Sequence, residues 1–336
     1  MVLALAACGT NPMTGDDGGG DDVIDPPGEL SALEKCVIDG GSLKELWSVG
    51  NQHGPVRSIV AGPLVVLGSQ DGSVKQWTVD GDEPSYGRPF TMQGAPIAAM
   101  ALSADHILAA TEQGQVAEWT LADAMPATTT TIADVTLSAL AVSTDAARAV
   151  TGTTTGELFV VDRMAGGMTQ LTSTMWGVDA ITYAPSNRLY TAGHWYSTPQ
   201  LERRVADSPI EAPDVWNDQM RQGHVRAVAI DKDAKRLVAA GDGFVATFAP
   251  DDVAAGPTVI TDVTEHSAVG AVLLPGAALF VTAGSEGTLR VWNAETATAV
   301  GGALTIPAPI GIAADTAGTR LYTSGADGRL HAFGCE

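Results

Sequence analysis

The sequence has few aromatic residues and no long apolar run, and both absences limit the fold. Phe, Trp and Tyr make up 5% of the 336 residues, whereas glycine occurs 38 times. A composition of this kind, with many small and β-branched residues, favours short strands and tight turns over long helices. No apolar stretch reaches the roughly 18 residues that a membrane-spanning helix needs. We therefore expect an all-β protein without a transmembrane helix.

Positive charge is also scarce. The chain has 18 lysines and arginines against 39 acidic residues, which gives a formal net charge of −21 at pH 7. A surface of this sign repels the phosphate backbone of nucleic acids and the head groups of anionic lipids. The charge therefore predicts that nucleic acid is not a partner.

Motifs for catalysis and metal binding are absent from the sequence as well. The six histidines stand singly, without a His-x-x-x-His pair, and no two cysteines have the spacing of metal ligands. There is no Gly-x-Ser-x-Gly and no Gly-x-x-x-x-Gly-Lys. The acidic segment "GDDGGGDD" lacks the spaced ligands of a calcium loop. These observations predict no catalytic residue, no cofactor and no metal ion.

Only three cysteines occur, and the first follows an apolar stretch. The sequence Leu5-Ala6-Ala7-Cys8 resembles the lipobox of bacterial lipoproteins, although the stretch before it is short and has no Lys or Arg. The resemblance implies that residues 1–7 are the remnant of a signal peptide and that Cys8 is lipidated. Residues 8–35 are rich in Gly, Asp and Pro and are expected to form a disordered acidic tether. The alternative is a frayed N-terminus with a chance cysteine.

From about residue 55 the sequence repeats with a regular period. Each of six units has a glycine turn followed by a strand that ends in a bulky residue, as in "QDGSVKQW" and "SEGTLRVW". A degenerate unit lies near Arg204, and successive units are 41–44 residues apart. This period lies in the range of propeller blades. The bulky residues expected to pack between blades are Trp77, Trp119, Val161, Phe248, Trp292 and Phe333.

Apolar segments with a two-residue period indicate four strands in each unit. The units are similar to the WD-repeat β-propeller family, most clearly in "SQDGSVKQWTVD" and "SEGTLRVWNAE". The resemblance implies an all-β, seven-bladed β-propeller of four-stranded antiparallel blades over residues 36–336. In that family an Asp, a His, a Ser or Thr and a Trp form a tetrad in each unit. Asp71, Trp77 and His53 match it best. The positions that depart from it, or match it only roughly, are Gln113, Thr155, Glu286, His224 and His266.

The last unit ends at Phe333 and lacks its fourth strand. The unassigned strand-like segment "SLKELWSVG", residues 42–50, precedes the first unit, so we expect it to complete the last blade and close the ring. Cys36 and Cys335 then fall at the same connection and are predicted to form a disulfide, which requires an oxidising compartment. The alternative is a pair of free thiols.

The fourth unit is irregular, because "GHWYSTPQ" replaces its short turn. In a propeller, this turn and the loop that leads into the first strand open on one face, the top face. Aromatic and arginine side chains on such a rim are typical of interaction hot spots. The candidate top-face binding residues are Arg57, Trp176, Asp179, His194, Trp195, Tyr196, His224 and Arg226. The alternative is that Trp176 and Trp195 only cover a weak blade.

Taken together, these features predict a non-catalytic, exported and monomeric scaffold. It would be tethered to the bacterial outer membrane or cell surface through its lipid alone, and would bind a protein or peptide with its top face. One alternative is a propeller enzyme, similar to lactonases or quinone-dependent dehydrogenases, with its site at the central channel. Another is a structural component of an envelope assembly complex.

Overall fold

The computed structural model describes residues 29–50, 55–80, 83–91, 94–103, 105–121, 128–185, 187–206 and 211–335. The expected signal-peptide remnant, the lipidation site Cys8, most of the tether and His53 lie outside the described residues. Within the described ranges, no helix is both long and apolar enough to cross a membrane.

A short helix, α1 (Ala32–Ile38), begins the described chain. The Ser31 hydroxyl accepts a hydrogen bond from the backbone N–H of Glu34, and the Glu34 carboxylate accepts one from the backbone N–H of Ser31. This reciprocal capping box fixes the start of the helix. Leu33, Glu34 and Val37 are buried. Helix α1 therefore begins within residues 8–35, the segment that we expected to form the tether, and Leu33 and Glu34 of that segment are buried.

Strand β1 (Leu43–Gly50) follows the helix, and the remaining strands form antiparallel sheets in chain order. The first two sheets are β2 (Val56–Ala61), β3 (Val65–Ser69), β4 (Ser73–Asp80) and β5 (Glu83–Thr91), then β6 (Ile97–Leu102), β7 (His106–Thr111), β8 (Gln115–Thr120) and β9 (Thr128–Thr131). The third and fourth sheets are β10 (Leu137–Val142), β11 (Arg148–Thr153), β12 (Leu158–Asp162) and β13 (Met168–Leu171), then β14 (Gly177–Tyr183), β15 (Arg188–Trp195), β16 (Thr198–Val205) and β17 (Asp214–Asn217).

The fifth sheet has six strands, and the sixth has four, one of which comes from the N-terminal part of the chain. The fifth contains β18 (Val225–Ile230), β19 (Leu237–Phe248), β20 (Pro257–Leu273), β21 (Leu279–Gly284), β22 (Thr288–Asn293) and β23 (Ala299–Thr305), with a short 3₁₀ turn at Val253–Ala255. The sixth contains β24 (Pro309–Ala314), β25 (Leu321–Gly325) and β26 (Arg329–Cys335), and β1 is its outer strand.

The expectation of seven four-stranded blades is wrong, because the described strands form six sheets. The reason lies in β20, which is 17 residues long and pairs with β19 through its first part and with β21 through its last part. The sequence between Pro257 and Gly270 contains no glycine or proline that would separate the fifth and sixth repeat units. Counted by hydrogen-bonded sheets the propeller therefore has six blades, and these two units share one of them.

The all-β propeller arrangement itself is confirmed. The innermost strands contact one another around a ring, in the order β2, β6, β10, β14, β18, β20, β24 and back to β2. Apart from β20, whose first part is exposed or half-buried, these strands are buried along most of their length, as in the sequence IAAMAL of β6, because each is covered on both faces. The bulky residues that end the third strands fill the space between sheets, and Trp119, Trp292 and Phe333 are at most 2% exposed.

The N-terminal strand closes the ring as expected. Strand β1 pairs antiparallel with β26, and Leu43 lies opposite Cys335. Cys36 and Cys335 form the predicted disulfide across a sequence separation of 299 residues. The helix and this strand therefore join the two ends of the domain within one sheet.

A WD-type tetrad is present in the sixth repeat unit, where the sequence had suggested only a rough match; the tetrad expected around Asp71 and Trp77 includes His53, which lies outside the described residues. His266 lies within 2.5 Å of a Glu286 carboxylate oxygen and within 2.8 Å of the Thr282 hydroxyl, to which the Trp292 indole N–H also donates at 2.8 Å. These four side chains reproduce the family network with Glu in the place of Asp. In the unit we expected to match best, the buried indole nitrogen of Trp77 has no hydrogen-bond partner among the described residues.

Candidate functional site

The top face of the fourth sheet carries most of the predicted binding residues. Gly177 at the start of β14 lies opposite His194 in β15, and the Trp176 N–H donates to the His194 carbonyl at 2.8 Å. The turn from β15 to β16 is tight, with Trp195 opposite Thr198 and with Tyr196 in the left-handed region at φ 54°. Backbone pairing therefore brings residues 176 and 194–196 to the same end of the sheet.

Three aromatic side chains form an exposed group here, which we call the aromatic patch (Trp176, Trp195 and Tyr196). The ring centroids of Trp176 and Tyr196 are 3.5 Å apart, and those of Trp195 and Tyr196 are 4.6 Å apart. The three residues are 49%, 37% and 55% exposed, respectively. The patch therefore offers a continuous apolar surface to solvent.

A polar cluster adjoins the patch and connects the fourth sheet to the fifth. The Asp179 carboxylate oxygen Oδ2 lies 2.8 Å from Nδ1 of His224 and 3.7 Å from Nδ1 of His194. The two imidazole rings are stacked, with centroids 3.7 Å apart. Arg226 approaches the other Asp179 oxygen at 3.5 Å and makes two contacts of 3.2 Å with the carboxylate of Asp242.

The electrostatics of this cluster keep its carboxylates ionised. Burial acts to raise the pKa of Asp179, but the contacts of His194 and His224 and the charge of Arg226 outweigh it and lower the pKa to about 2. Burial likewise acts to raise the pKa of Asp242, and hydrogen bonds from a neighbouring serine hydroxyl and Arg226 lower it below its usual value. Each carboxylate is thus held as an anion by the polar and charged groups around it.

Seven of the eight predicted residues belong to these two groups. Arg57 is the exception, because it lies on β2 and pairs with Glu112 at 3.4 Å. Sequence reasoning missed Asp242, which lies within β19 directly before Gly243. It also missed that one candidate metal-ligand atom from each of Asp179, His194 and His224 lies within 4.8 Å of the others. No spacing motif reveals this, since the three residues come from three different strands or loops.

Comparison with known proteins identifies the fold and nothing finer. No protein-family profile matches the chain, and no curated protein matches it. Among the solved structures that resemble it are two with a TM-score of 0.73 each. One, described as the structure of U3-55K, is 13% identical and aligns over 87% of this chain and 98% of its own. The other, described as the crystal structure of RRP9 WD40 repeats, is 14% identical and aligns over 88% of this chain and 97% of its own. The chain therefore has the fold of a WD40-repeat β-propeller.

Proposed function

We propose that this protein is a non-catalytic scaffold that binds a protein or peptide through the top face of its fourth sheet. The observation that carries the proposal is the aromatic patch of Trp176, Trp195 and Tyr196. Large rigid aromatic side chains lose little conformational entropy on binding and dominate the energetics of many interfaces. Three of them in contact, each more than a third exposed, form a suitable centre for an interface.

The polar cluster beside the patch supports the same proposal. Asp179, His224 and Arg226 remain partly exposed, with side chains that are 21%, 25% and 38% accessible. Their mutual contacts fix their positions before any partner binds, which lowers the ordering cost of an interface. An apolar centre beside ordered polar groups is the usual anatomy of a binding surface. The net charge of −21 supports a partner other than nucleic acid.

Site-specific photo-crosslinking in the native organism tests this surface. A photoreactive residue in place of Trp195 would lie on the patch, whereas one in place of Met164, 87% exposed in the turn between β12 and β13, lies at the opposite end of its sheet. We expect a discrete adduct from position 195 and none of the same mass from position 164. Identical adducts from both positions, or none from position 195, would contradict the proposal.

A pair of substitutions separates binding from a merely covering role. A photoreactive residue in place of Arg226, beside the patch, reports whether the partner still binds when Trp176→Ala and Tyr196→Ala are combined. If the patch binds the partner, these two substitutions abolish the crosslink from position 226, while the melting temperature stays within about 3 °C of the wild type. If the patch only protects the blade, the adduct persists and the melting temperature falls further. The two outcomes are distinguishable in one preparation.

We further propose that the scaffold is exported and held at a membrane by a lipid on Cys8. The lipobox-like sequence at Leu5–Cys8 and the acidic, glycine-rich segment after it support this location. The Cys36–Cys335 disulfide fits an oxidising compartment. Metabolic labelling of the full-length gene product with a fatty-acid probe tests the anchor. We expect label on the wild type and none on Cys8→Ser, whereas an unlabelled wild type would refute the anchor.

A further inference from the structure

We propose that Asp179, His194 and His224 form a binding site for a divalent transition-metal ion of the zinc type. The structure brings together two imidazoles and one carboxylate, with one candidate ligand atom from each within 4.8 Å of the others. Imidazole nitrogen with carboxylate oxygen is a donor set typical of zinc and neighbouring divalent metals. The inference does not depend on a protein partner.

The atoms that face one another are those a metal ion would use. Nδ1 of His224 lies 2.8 Å from Oδ2 of Asp179, and Nδ1 of His194 lies 3.7 Å from the same oxygen. Ligand atoms about 2 Å from one tetrahedral ion are separated by about 3.3 Å, and these distances fall on either side of that value. The two imidazole rings are stacked with planes 21° apart, so at least one ring would rotate out of the stack for both Nδ1 lone pairs to point at one ion.

His194 supplies the second, independent observation. Its Nδ1 is buried and has no hydrogen-bond partner among the described residues, although its side chain as a whole is 18% exposed. A buried polar atom without a partner destabilises the folded protein. A metal ion held between His194 and His224 would give this nitrogen a partner.

The surrounding charges are compatible with a cation. Arg226 lies 3.5 Å from Oδ1 of Asp179, on the oxygen that does not face the histidines, and its charge is matched by two contacts with Asp242. With neutral histidines the five groups carry a net charge of −1, so a divalent ion brings the site to +1. Arg226 would not bind the ion itself but would hold the Asp179 carboxylate in position, as residues that contact metal ligands usually do.

The site would join two blades and remain open to solvent. Asp179 and His194 lie on β14 and β15, whereas His224 leads into β18 of the next sheet, so a bound ion would link the two. The three side chains are 21%, 18% and 25% exposed. Three protein ligands leave at least one position of a four-coordinate ion for water or another donor.

The test is metal binding to the purified, chelator-treated protein. We expect one equivalent of Zn²⁺ to bind, and Co²⁺ to develop the visible absorption of a low-symmetry site. His194→Ala, His224→Ala and Asp179→Asn should each weaken Zn²⁺ binding at least about 10-fold. Even the loss of a residue that only hydrogen-bonds to a metal ligand lowers the affinity for the metal by that much. His106→Ala is the matched control, because His106 is 24% exposed beside acidic residues of another sheet, and it should bind as the wild type does.

A footprint on the wild type makes the test independent of how the variants fold. Zn²⁺ should protect His194 and His224, but not His106, from acylation by diethyl pyrocarbonate, as read by peptide mass spectrometry. Three results would overturn the site: no stoichiometric binding to the wild type, unchanged affinity in a folded His194→Ala/His224→Ala double variant, or equal acylation of His194 and His224 with and without Zn²⁺.

Discussion

Replacing Glu34 with alanine should destabilise the propeller far more than its position near the start of the domain suggests. The Glu34 side chain is fully buried, and its carboxylate accepts four backbone N–H groups. One belongs to Ser31 and lies at 2.9 Å, and the others belong to the turn between β20 and β21. Their distances are 2.9 Å for Gly276, 2.9 Å for Ala278 and 3.3 Å for Leu279. A single carboxylate thus holds helix α1 to a turn more than 240 residues away.

The magnitude follows from these contacts. A hydrogen bond to a charged group contributes about 1.5–3 kcal/mol, so four of them give about 6 kcal/mol at the lower end of that range if no donor regains a partner. Water that enters the vacated space would reduce the loss to about 3 kcal/mol. Gly276 makes this approach possible, because a Cβ built there would lie 2.2 Å from a Glu34 carboxylate oxygen.

Urea unfolding followed by tryptophan fluorescence, with the disulfide intact, measures the effect. We expect Glu34→Ala to lower the free energy of unfolding by about 3–6 kcal/mol, and Glu34→Gln, which keeps one oxygen acceptor, to lie between it and the wild type. Lys35→Ala is the matched control on the same helix, because Lys35 makes only an exposed ion pair with Glu29 and should change stability by less than about 1 kcal/mol. A loss for Glu34→Ala within about 1 kcal/mol of that control would refute the reasoning.

Three further predictions concern the closure, the tetrad and one turn. Replacing Cys36 and Cys335 together with serine should lower the free energy of unfolding by up to about 6 kcal/mol, because the disulfide closes a loop of 299 residues; equal midpoints of urea unfolding for variant and wild type would contradict this. Burial lowers the pKa of His266 below 6.5, against the opposing effect of its Glu286 partner, so the stability it contributes is present above pH 6.5 and is lost as pH falls through the folded-state pKa. Urea unfolding between pH 8 and 5 should show this decline in the wild type and a weaker one in His266→Gln, and parallel curves would exclude it. Gly156→Ala should destabilise more than Gly166→Ala, because both have positive φ but only at position 156 would a Cβ lie 1.9 Å from a backbone carbonyl oxygen; equal melting temperatures would count against the clash.

The propeller and its closure could be predicted because they depend on local signals that recur. A glycine stands five residues before the aromatic residue both at Trp292 and at Trp77. The turn and the two strands that it joins can therefore be recognised in each unit. The last unit ends at Phe333 without a fourth strand, and β1 provides that strand by pairing with β26. The blade count failed at β20, where the sequence between Pro257 and Gly270 contains no residue that breaks a strand.

Helix α1 was missed although its signal was present. Ser31 and Glu34 have the spacing of a capping box, and Leu33 and Val37 are four residues apart, as on one face of a helix. The glycine- and proline-rich residues before them dominated the interpretation, so we extended the tether through residue 35. The burial of Glu34 could not be predicted in any case, because its partners lie more than 240 residues further along the chain.

The candidate site, too, could be predicted from the sequence only in part. That His194, Trp195 and Tyr196 stand on the top face follows from where the irregular turn occurs in the repeat. The contact of Asp179 with His194 and His224 does not, because it depends on the register of β14 with β15 and on the packing of one sheet against the next. Side chains that meet through register and sheet packing leave no spacing motif in the sequence.

The pairing of β1 with β26 also imposes an order on biosynthesis. The ribosome makes Cys36 and β1 well before Cys335, which lies 299 residues later. At about 5–20 residues per second, this interval is roughly 15–60 s. Throughout that time β1 has no strand to pair with, and Glu34 has only its own helix terminus to bind until the turn at Gly276 is made. The propeller is thus completed only after its last strand has emerged, and for up to a minute the nascent chain carries an open edge that a chaperone or another nascent chain can occupy.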